Sequence, residues 1–321
     1  MRVEVVAPSR VHFGLVWMTD GTPQVYGGAG LTLWHCKTWV EGSRTTSGTV
    51  SVTGGSIEAR AFVTERLTAA GLVGVRLAIH EAPQDHVGLG SKTTVALACA
   101  EAACRLLGRT VTREELVRIT GRGGTSGIGV NGYFLGGFLT DRGHPRAAVT
   151  ALAPSSASQP SASPPVGQRF SWPSAWTVSL VRPPAQQGLH STAERDFFAS
   201  QLPLPLGECQ QAAVALHQEL PAAIVDADFS RLRAALRQSR MVGFKAREVE
   251  IQPVSAGLLR WLDKQPEVAA TMTSLGPTVV VITRSRRRRL DLPAFTEGWT
   301  VARGLVADSG RRITTHPASL R

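Results

Sequence analysis

Hydrophobic positions in the first third of the chain switch between the two-residue period of strands and the wider spacing of an amphipathic helix. Val75, Leu77 and Ile79 alternate with other residues, which predicts a half-buried strand. Residues 57–70 instead carry apolar side chains near helical spacing, and Gly71 supplies a stop signal. Shorter strands are predicted at 3–6 and 48–53.

The next segment predicts two helices of different character. Residues 92–107 are apolar or small on nearly every face, which is typical of a buried helix. Thr112-Arg113-Glu114-Glu115 has the order of a capping box, in which the threonine hydroxyl and the second glutamate satisfy each other's backbone amides. A short helix is therefore predicted from this point through Ile119.

A change of composition separates the two halves of the chain. Residues 154–173 are rich in Ser, Pro and Ala, and they predict a linker. After it, strands are predicted around 176–180, at 278–282 and at 299–303, with helices at 208–219, 228–240 and 255–264. Strands and helices mix in both halves, so the predicted class is α+β, with no internal repeat.

The charge balance favours an anionic partner. The chain has 35 basic and 24 acidic residues, a formal net charge of +11, and such an excess suits phosphorylated small molecules, nucleic acid or a membrane surface. Much of it is local, at Arg284, 286–289 and 311–312. We interpret these arginines as a solvated loop and tail, because no aromatic residues interleave with them to stack on bases. A nucleic-acid-binding protein is a competing hypothesis, which a steep salt dependence of DNA binding would support.

Compartment and redox state follow from two simpler observations. No apolar stretch approaches the length of a membrane span, and the first residues run directly into a strand, so neither a membrane partner nor a secretory signal is expected. Cys36, Cys99, Cys104 and Cys209 show no paired metal-ligand spacing. We expect reduced cysteines and a cytoplasmic protein.

The first cluster of glycines runs from His86 to Thr93, between a predicted strand and the buried helix. Glycines allow a tight turn and close approach of a ligand, and the N-terminus of the following helix attracts anions. It is not a Walker A loop, which would need glycines where the chain has His86 and Ser91. Lys92 beside the glycines favours a phosphate site over an ordinary turn.

A second cluster, 121–129, places five glycines in nine residues, together with Arg122, Thr125 and Ser126. Amides, hydroxyls and a guanidinium make a cradle for a polyanion. A third and weaker cluster, 273–278, precedes the strongest strand of the second half.

These segments together resemble one family. Residues 8–15 (PSRVHFGL) and 26–30 (YGGAG) are similar to the opening motifs of the β-ribofuranosylaminobenzene 5′-phosphate synthase family, and 86–93 resembles the phosphate loop of the wider GHMP superfamily. Further matches follow in order at 121–130, 136–138, 141–144, 154–158, 188–198, 243–245 and 274–278. The segment 121–130 is similar to this family rather than to GHMP kinases.

The resemblance implies a GHMP-type N-terminal domain, residues 1–153, and a ferredoxin-like C-terminal domain, residues 174–321, on either side of the linker. It implies phosphoribosyl pyrophosphate with Mg²⁺ as donor, and an amino-substituted aromatic or heteroaromatic carboxylate as acceptor. The reaction forms a C–C bond at the anomeric carbon and releases pyrophosphate and carbon dioxide. A homodimer is a further expectation.

Candidate site residues divide into three groups under this interpretation. Catalytic roles are predicted for Lys92, His190 and Lys245. Asp20 and Asp141 are predicted metal contacts. Binding of substrate is predicted for Arg10, His12, Gly88, Gly90, Ser91, Thr93, Arg122, Gly123, Gly124, Thr125, Ser126 and Gly127. His86 and His144 lie in the motifs without an assigned role.

One departure from the family bears on the acceptor. Members that use 4-aminobenzoate usually have Gly-Thr-Gln where this chain has Lys92-Thr93-Thr94. The added cation could meet a second carboxylate, so we predict 4-aminopyrazole-3,5-dicarboxylate and C-nucleoside antibiotic synthesis first. The alternatives are 4-aminobenzoate, as in the methanopterin pathway, and an ATP-dependent GHMP small-molecule kinase.

Overall fold

The computed structural model describes residues 1–155, 157, 162–184, 188–189, 191–285 and 290–317. It contains two sheets, each covered by helices. The α+β class predicted from the sequence is confirmed.

Two long antiparallel strands, β1 (Arg2–Trp17) and β2 (Gln24–Arg44), form the centre of the first sheet. The other strands of this sheet are β3 (Val50–Gly54), β4 (Val75–Glu81), β5 (Phe138–Asp141), β6 (His144–Pro145), β7 (Val166–Phe170) and β12 (Arg312–His316). The main order is β12-β1-β2-β4-β3, and β5, which carries β7 on its far side, pairs with β2. The predicted strand at 3–6 is therefore only the start of a much longer one.

Four helices accompany this sheet: α1 (Ile57–Ala69), α2 (Ser91–Leu106), α3 (Arg113–Thr120) and α4 (Ile128–Leu135). Helix α2 is buried along almost its whole length and shares a core with α1 and the sheet, as its apolar pattern predicts. Thr112 caps α3 in the predicted capping box. Gly90 begins α2 in a left-handed conformation without a side-chain cap.

The second sheet has the order β11-β8-β10-β9, all antiparallel, from β8 (Thr177–Arg182), β9 (Val268–Met272), β10 (Val279–Thr283) and β11 (Thr300–Gly304). Numbered within this sheet, that order is 4-1-3-2, the arrangement of a ferredoxin-like fold. The chain between β8 and β9 forms α5 (Ser191–Gln201), α6 (Leu206–Ala213), a π-helical segment (Val214–Glu219), α7 (Leu220–Val225), α8 (Phe229–Ser239), α9 (Gly243–Glu250) and α10 (Pro253–Leu262).

Two strands that follow residue 153 in the chain belong to the first sheet. The segment predicted as a linker, 154–173, contributes β7 to the first sheet, where it pairs with β5. Strand β12, near the end of the chain, pairs with β1. The two sheets also share buried side chains, since Val11 and Phe13 belong to the same apolar cluster as Val178 and Val280. This shared core holds loops from both halves beside one another.

Candidate active site

The first glycine cluster leads into the N-terminus of α2 at the rim of a cavity. Gly88 and Gly90 both have positive φ, +84° and +73°. A methyl group on Gly88 would lie 2.6 Å from the carbonyl oxygen of Thr273, so only glycine fits this approach. Ser91, at the start of the helix, donates its hydroxyl hydrogen to Asp85 Oδ1 at 2.6 Å. The N-terminus of α2 therefore opens at this rim, and binding of an anion there stays a prediction.

Two arginines predicted to bind the substrate meet at this cavity. Arg10 comes from β1, and its Nη1 donates to the Gly88 carbonyl at 2.6 Å. Arg122 comes from the second glycine cluster, and its Nε donates to Thr93 Oγ1 at 3.3 Å. Burial lowers the pKa of each to about 10, and their mutual repulsion contributes at Arg10. Two desolvated cations that repel each other favour a bound polyanion.

The second glycine cluster uses more of its own amides than the sequence predicts. The amides of Thr125, Gly127 and Ile128 donate to Ser155 Oγ, Asp141 Oδ2 and Ser126 Oγ, respectively. Gly123, Thr125 and Ser126 still line the cavity, whereas Gly124 and Gly127 do not. This loop is therefore fixed internally, and it presents side chains more than free amides to a ligand.

A chain of hydrogen bonds crosses beneath this loop. His12 Nε2 lies 3.0 Å from Ser126 Oγ, which in turn donates to Asp141 Oδ2 at 3.2 Å. Burial, reinforced by the nearby charges of Arg10 and Lys245, lowers the pKa of His12 well below its usual value. His12 is therefore neutral at physiological pH. Its tautomer sets which nitrogen donates, and a donor at Nε2 fits Ser126 as acceptor.

Lys92 lines the same cavity but is already paired. Its Nζ donates to Glu58 Oε1 at 2.7 Å and lies 5.2 Å from the centre of the Phe62 ring. His86 Nε2 lies 2.8 Å from the other oxygen of Glu58. The hydrogen bonds from Lys92 and His86 lower the pKa of Glu58 to about 2. The predicted role of Lys92 toward a second carboxylate therefore competes with an existing ion pair.

Lys245, a predicted catalytic residue, lies behind the cavity wall. It is 1% exposed, donates to the Ser274 carbonyl at 3.0 Å and forms an ion pair with Glu248. Glu248 lines the cavity, and Lys245 does not. Burial lowers the pKa of Lys245, although the charge of Glu248 opposes that shift.

The two aspartates predicted to contact a metal, Asp20 and Asp141, lie in different surroundings. Asp20 forms an exposed ion pair with Arg146 at 2.9 Å. Asp141 is buried beneath the second glycine loop, and burial raises its pKa to about 7. Within the described ranges, no group of three or more His, Cys, Asp or Glu side chains could hold a metal ion.

Several residues that line the cavity were not among the predicted site residues. Glu58, Asp85, Glu194 and Glu248 line the cavity with Ser274. Two of them had a signal, since Ser274 lies in the third glycine cluster and Glu194 lies in the matched segment 188–198. Ser274 has φ +45°, and its amide donates to the His12 carbonyl at 3.1 Å. The other acidic side chains carry no such signal, since most acidic residues lie on solvated faces. His190 lies outside the described residues.

Other basic residues have structural partners. Arg311 donates to both oxygens of the buried Glu101, at 2.9 Å each, and Arg312 stacks over Trp34. Residues 286–289 are not among those the structure describes. No helix in the described part of the chain is both long and apolar enough to cross a bilayer.

Comparison with known proteins identifies the family. Residues 57–136 match the GHMP kinases N terminal domain. The β-ribofuranosylphenol 5′-phosphate synthase of Archaeoglobus fulgidus is 33% identical over 87% of this chain and 87% of its own length. The enzyme of that name from Methanothermobacter thermautotrophicus is 33% identical over 62% of this chain and 60% of its own length.

Solved structures agree on the fold. Homoserine kinase from Cytophaga hutchinsonii superposes with a TM-score of 0.62 at 15% identity, over 98% of this chain and 97% of that one. At that identity the likeness shows the fold alone. The archaeal matches go further: this chain is an enzyme, a C-glycosyltransferase of the β-ribofuranosylphenol 5′-phosphate synthase family within the GHMP superfamily.

Proposed function

We propose that the enzyme transfers a 5-phosphoribosyl group from phosphoribosyl pyrophosphate to the ring carbon of an aromatic carboxylate, releasing pyrophosphate and carbon dioxide. One observation carries the proposal: cations, a glycine loop and apolar side chains line a single cavity. Arg10, Arg122 and the start of α2 suit a polyphosphate. Leu15, Phe198 and Leu275 suit a flat ring.

The acceptor we place first is a benzoate with an electron-donating group at position 4. The archaeal relatives are named for a ribosylated phenol, and 4-hydroxybenzoate and 4-aminobenzoate both push electrons to the carbon that bears the carboxylate. 4-Aminopyrazole-3,5-dicarboxylate, favoured on the sequence because of Lys92, comes second. The cation it would need is already paired with Glu58.

The reaction balances without a proton transfer. The ring carbon attacks the anomeric carbon as the bond to pyrophosphate breaks, and pyrophosphate leaves with that electron pair. The bond to the carboxyl carbon then breaks, its electrons restore the aromatic ring, and carbon dioxide departs. Arg10 and Arg122 stabilise the charge that develops on the leaving group, and the apolar wall holds the acceptor in line. No general base is required.

Mg²⁺ fits this site as an ion bound together with the donor. It commonly takes one or two carboxylates plus substrate phosphates, and Asp85 lies beside the first glycine loop, with Oδ1 accepting from Ser91 and Oδ2 from Ser56. Asp85 would hold the ion through its remaining lone pairs, and the ion when bound supplies charge neutralisation to the pyrophosphate.

Mixing the enzyme with phosphoribosyl pyrophosphate, Mg²⁺ and each of the three acceptors tests the proposal. Mass spectrometry should find a ribosylated product that lacks one carboxyl group, most rapidly with a 4-substituted benzoate. Faster turnover of the pyrazole dicarboxylate would reverse the order of acceptors. Absence of any such product, with ATP-dependent phosphorylation of a small alcohol instead, would refute ribosyl transfer in favour of a kinase.

A further inference from the structure

The Lys245–Glu248 pair lies one turn apart on α9, beside Ser274 and within electrostatic reach of Arg10. Both side chains are almost fully buried, with 1% and 4% of their side-chain surface exposed. The Lys245 ammonium contacts Glu248 Oε2 and donates to the Ser274 carbonyl at 3.0 Å. A buried ion pair of this kind is costly to desolvate, and it does not by itself indicate a contribution to stability.

The two members of the pair face different surroundings. Lys245 is enclosed by protein, whereas Glu248 lines the cavity. Glu248 Oε2 contacts the ammonium and is sealed from the cavity. Buried carboxylate oxygens are normally satisfied by several donors. Any contact of Glu248 with a ligand in the cavity that it lines therefore falls to the other oxygen, Oε1.

Charge restricts which part of the substrates this carboxylate can meet: the uncharged donors are the ribose hydroxyls, which every reaction shares, and the substituent of the acceptor ring, which differs between acceptors. The phosphates of the donor are anionic, and so is the carboxylate of the acceptor, so Glu248 would repel both. The apolar side chains of Leu15, Phe198 and Leu275 line the cavity together with Glu248. A ring held against them offers a carboxylate only one attractive group, the N–H or O–H of its electron-donating substituent.

We infer that Glu248 binds the amino or hydroxyl substituent of the acceptor, accepting its N–H or O–H hydrogen bond, and so selects acceptors that carry such a donor. This inference rests on the proposed function and names a recognition element for it. As the ring carbon attacks, positive charge develops on the substituent. A carboxylate already in place stabilises that charge more strongly in the transition state than in the ground state. The proton stays on the substituent, because loss of carbon dioxide restores the ring.

Lys245 acts through Glu248 as a positioning residue. Its ammonium holds Glu248 Oε2, and its hydrogen bond to Ser274 ties the pair to the loop that also holds His12. Lys245, which the sequence predicts as catalytic, thus supports Glu248, the residue that contacts the substrate.

The test compares two acceptors in two enzymes. 4-Aminobenzoate has N–H groups, whereas 4-(dimethylamino)benzoate donates electrons but has none. For Glu248→Gln we expect kcat/KM to fall about 10- to 100-fold with 4-aminobenzoate, the range of a charge-assisted hydrogen bond. With the dimethylamino acceptor the same variant should differ from wild type by less than about threefold, the part of the effect that Glu248 exerts through the charge of Arg10 and that both acceptors share. Equal losses with both acceptors would overturn the inference.

Glu194→Gln is the matched control. Glu194 also lines the cavity, and its charge acts on Arg10 and Arg122. Its removal should change both acceptors by the same factor, because the donor is common to the two reactions. A selective loss with 4-aminobenzoate in this variant would transfer the recognition role from Glu248 to Glu194.

A second variant controls for misfolding of Glu248→Gln. Glu248→Gln leaves a buried lysine without its counter-ion, so the double variant Lys245→Met with Glu248→Gln removes both charges. It should fold, as circular dichroism will show, and should have lost the preference for 4-aminobenzoate; a folded double variant that keeps the preference refutes the inference. If wild type ribosylates neither these two acceptors nor 4-hydroxybenzoate nor the pyrazole dicarboxylate, the proposed function fails and this inference with it. If product forms but the preference is insensitive to Glu248, only the inference fails.

Discussion

Substitution of Gly88 by alanine probes the contact that holds the first glycine loop against the second half of the chain. Gly88 has φ +84°, which costs a residue with a side chain about 1–2 kcal/mol. Its new methyl group would lie 2.6 Å from Thr273 O and 2.8 Å from Thr273 Cγ2. Relief of that overlap moves the Gly88 carbonyl away from Arg10 Nη1 and Thr273 Oγ1, which now donate to it at 2.6 and 2.8 Å.

The loss of two hydrogen bonds, one of them from a cation, together with the backbone strain, gives about 3–5 kcal/mol of lost unfolding free energy. Gly108→Ala is the matched control, because Gly108 has φ +72° and open space around its Cα. That control should lose only about 1–2 kcal/mol.

Urea unfolding followed by circular dichroism measures both variants, and steady-state kinetics measures the site. Gly88→Ala should also lower kcat/KM with the donor, since Arg10 loses its support, whereas Gly108→Ala should not. Equal unfolding free energies for the two variants would refute the argument from close approach. Normal kinetics in Gly88→Ala would show that the position of Arg10 does not depend on this loop.

Three further predictions concern charge. Arg122→Met should weaken binding of phosphoribosyl pyrophosphate about 10- to 100-fold in calorimetric titration, as expected for one charge-assisted hydrogen bond; unchanged affinity would place the donor elsewhere. Burial raises the pKa of Asp141 from 3.8 to about 7. The protonated carboxyl group therefore contributes fully to the unfolding free energy below pH 3.8. That contribution, at most about 4 kcal/mol, is lost as the pH rises through 7. Asp141→Asn should therefore flatten the decline of unfolding free energy across pH 4–7, and an unaltered slope would contradict the assignment. Arg311→Leu strands the buried Glu101 carboxylate and should cost about 3–5 kcal/mol in unfolding free energy without changing the KM for the donor; unaltered stability would contradict this.

Local features of the fold were predictable because their causes are local. The capping box at Thr112 satisfies amides within one turn, and the uninterrupted apolar run of α2 can only be buried. Positive φ at Gly88, Gly90 and Gly121 follows from turns that other residues resist. The family resemblance, carried by these same loops, extended the prediction to the fold and to the class of enzyme.

Features that join distant segments were not predictable in the same way. The strand β7 looks like a linker in composition, and it becomes a strand because β5 offers an unpaired edge. The sequence of the second glycine loop predicts a cradle of amides, yet Ser155 and Asp141 accept from two of those amides, at Thr125 and Gly127. Such competition depends on side chains that reach the loop from other elements.

The sequence by itself determined where the chain turns and which helix is buried, because backbone conformation and apolar periodicity act over a few residues. Only the tertiary structure decided which charges meet. It assigned Lys92 to Glu58 across 34 positions and left Glu248, rather than Lys245, at the cavity surface. Those pairings depend on the packing of two sheets on a shared core, which brings together side chains that no local pattern connects.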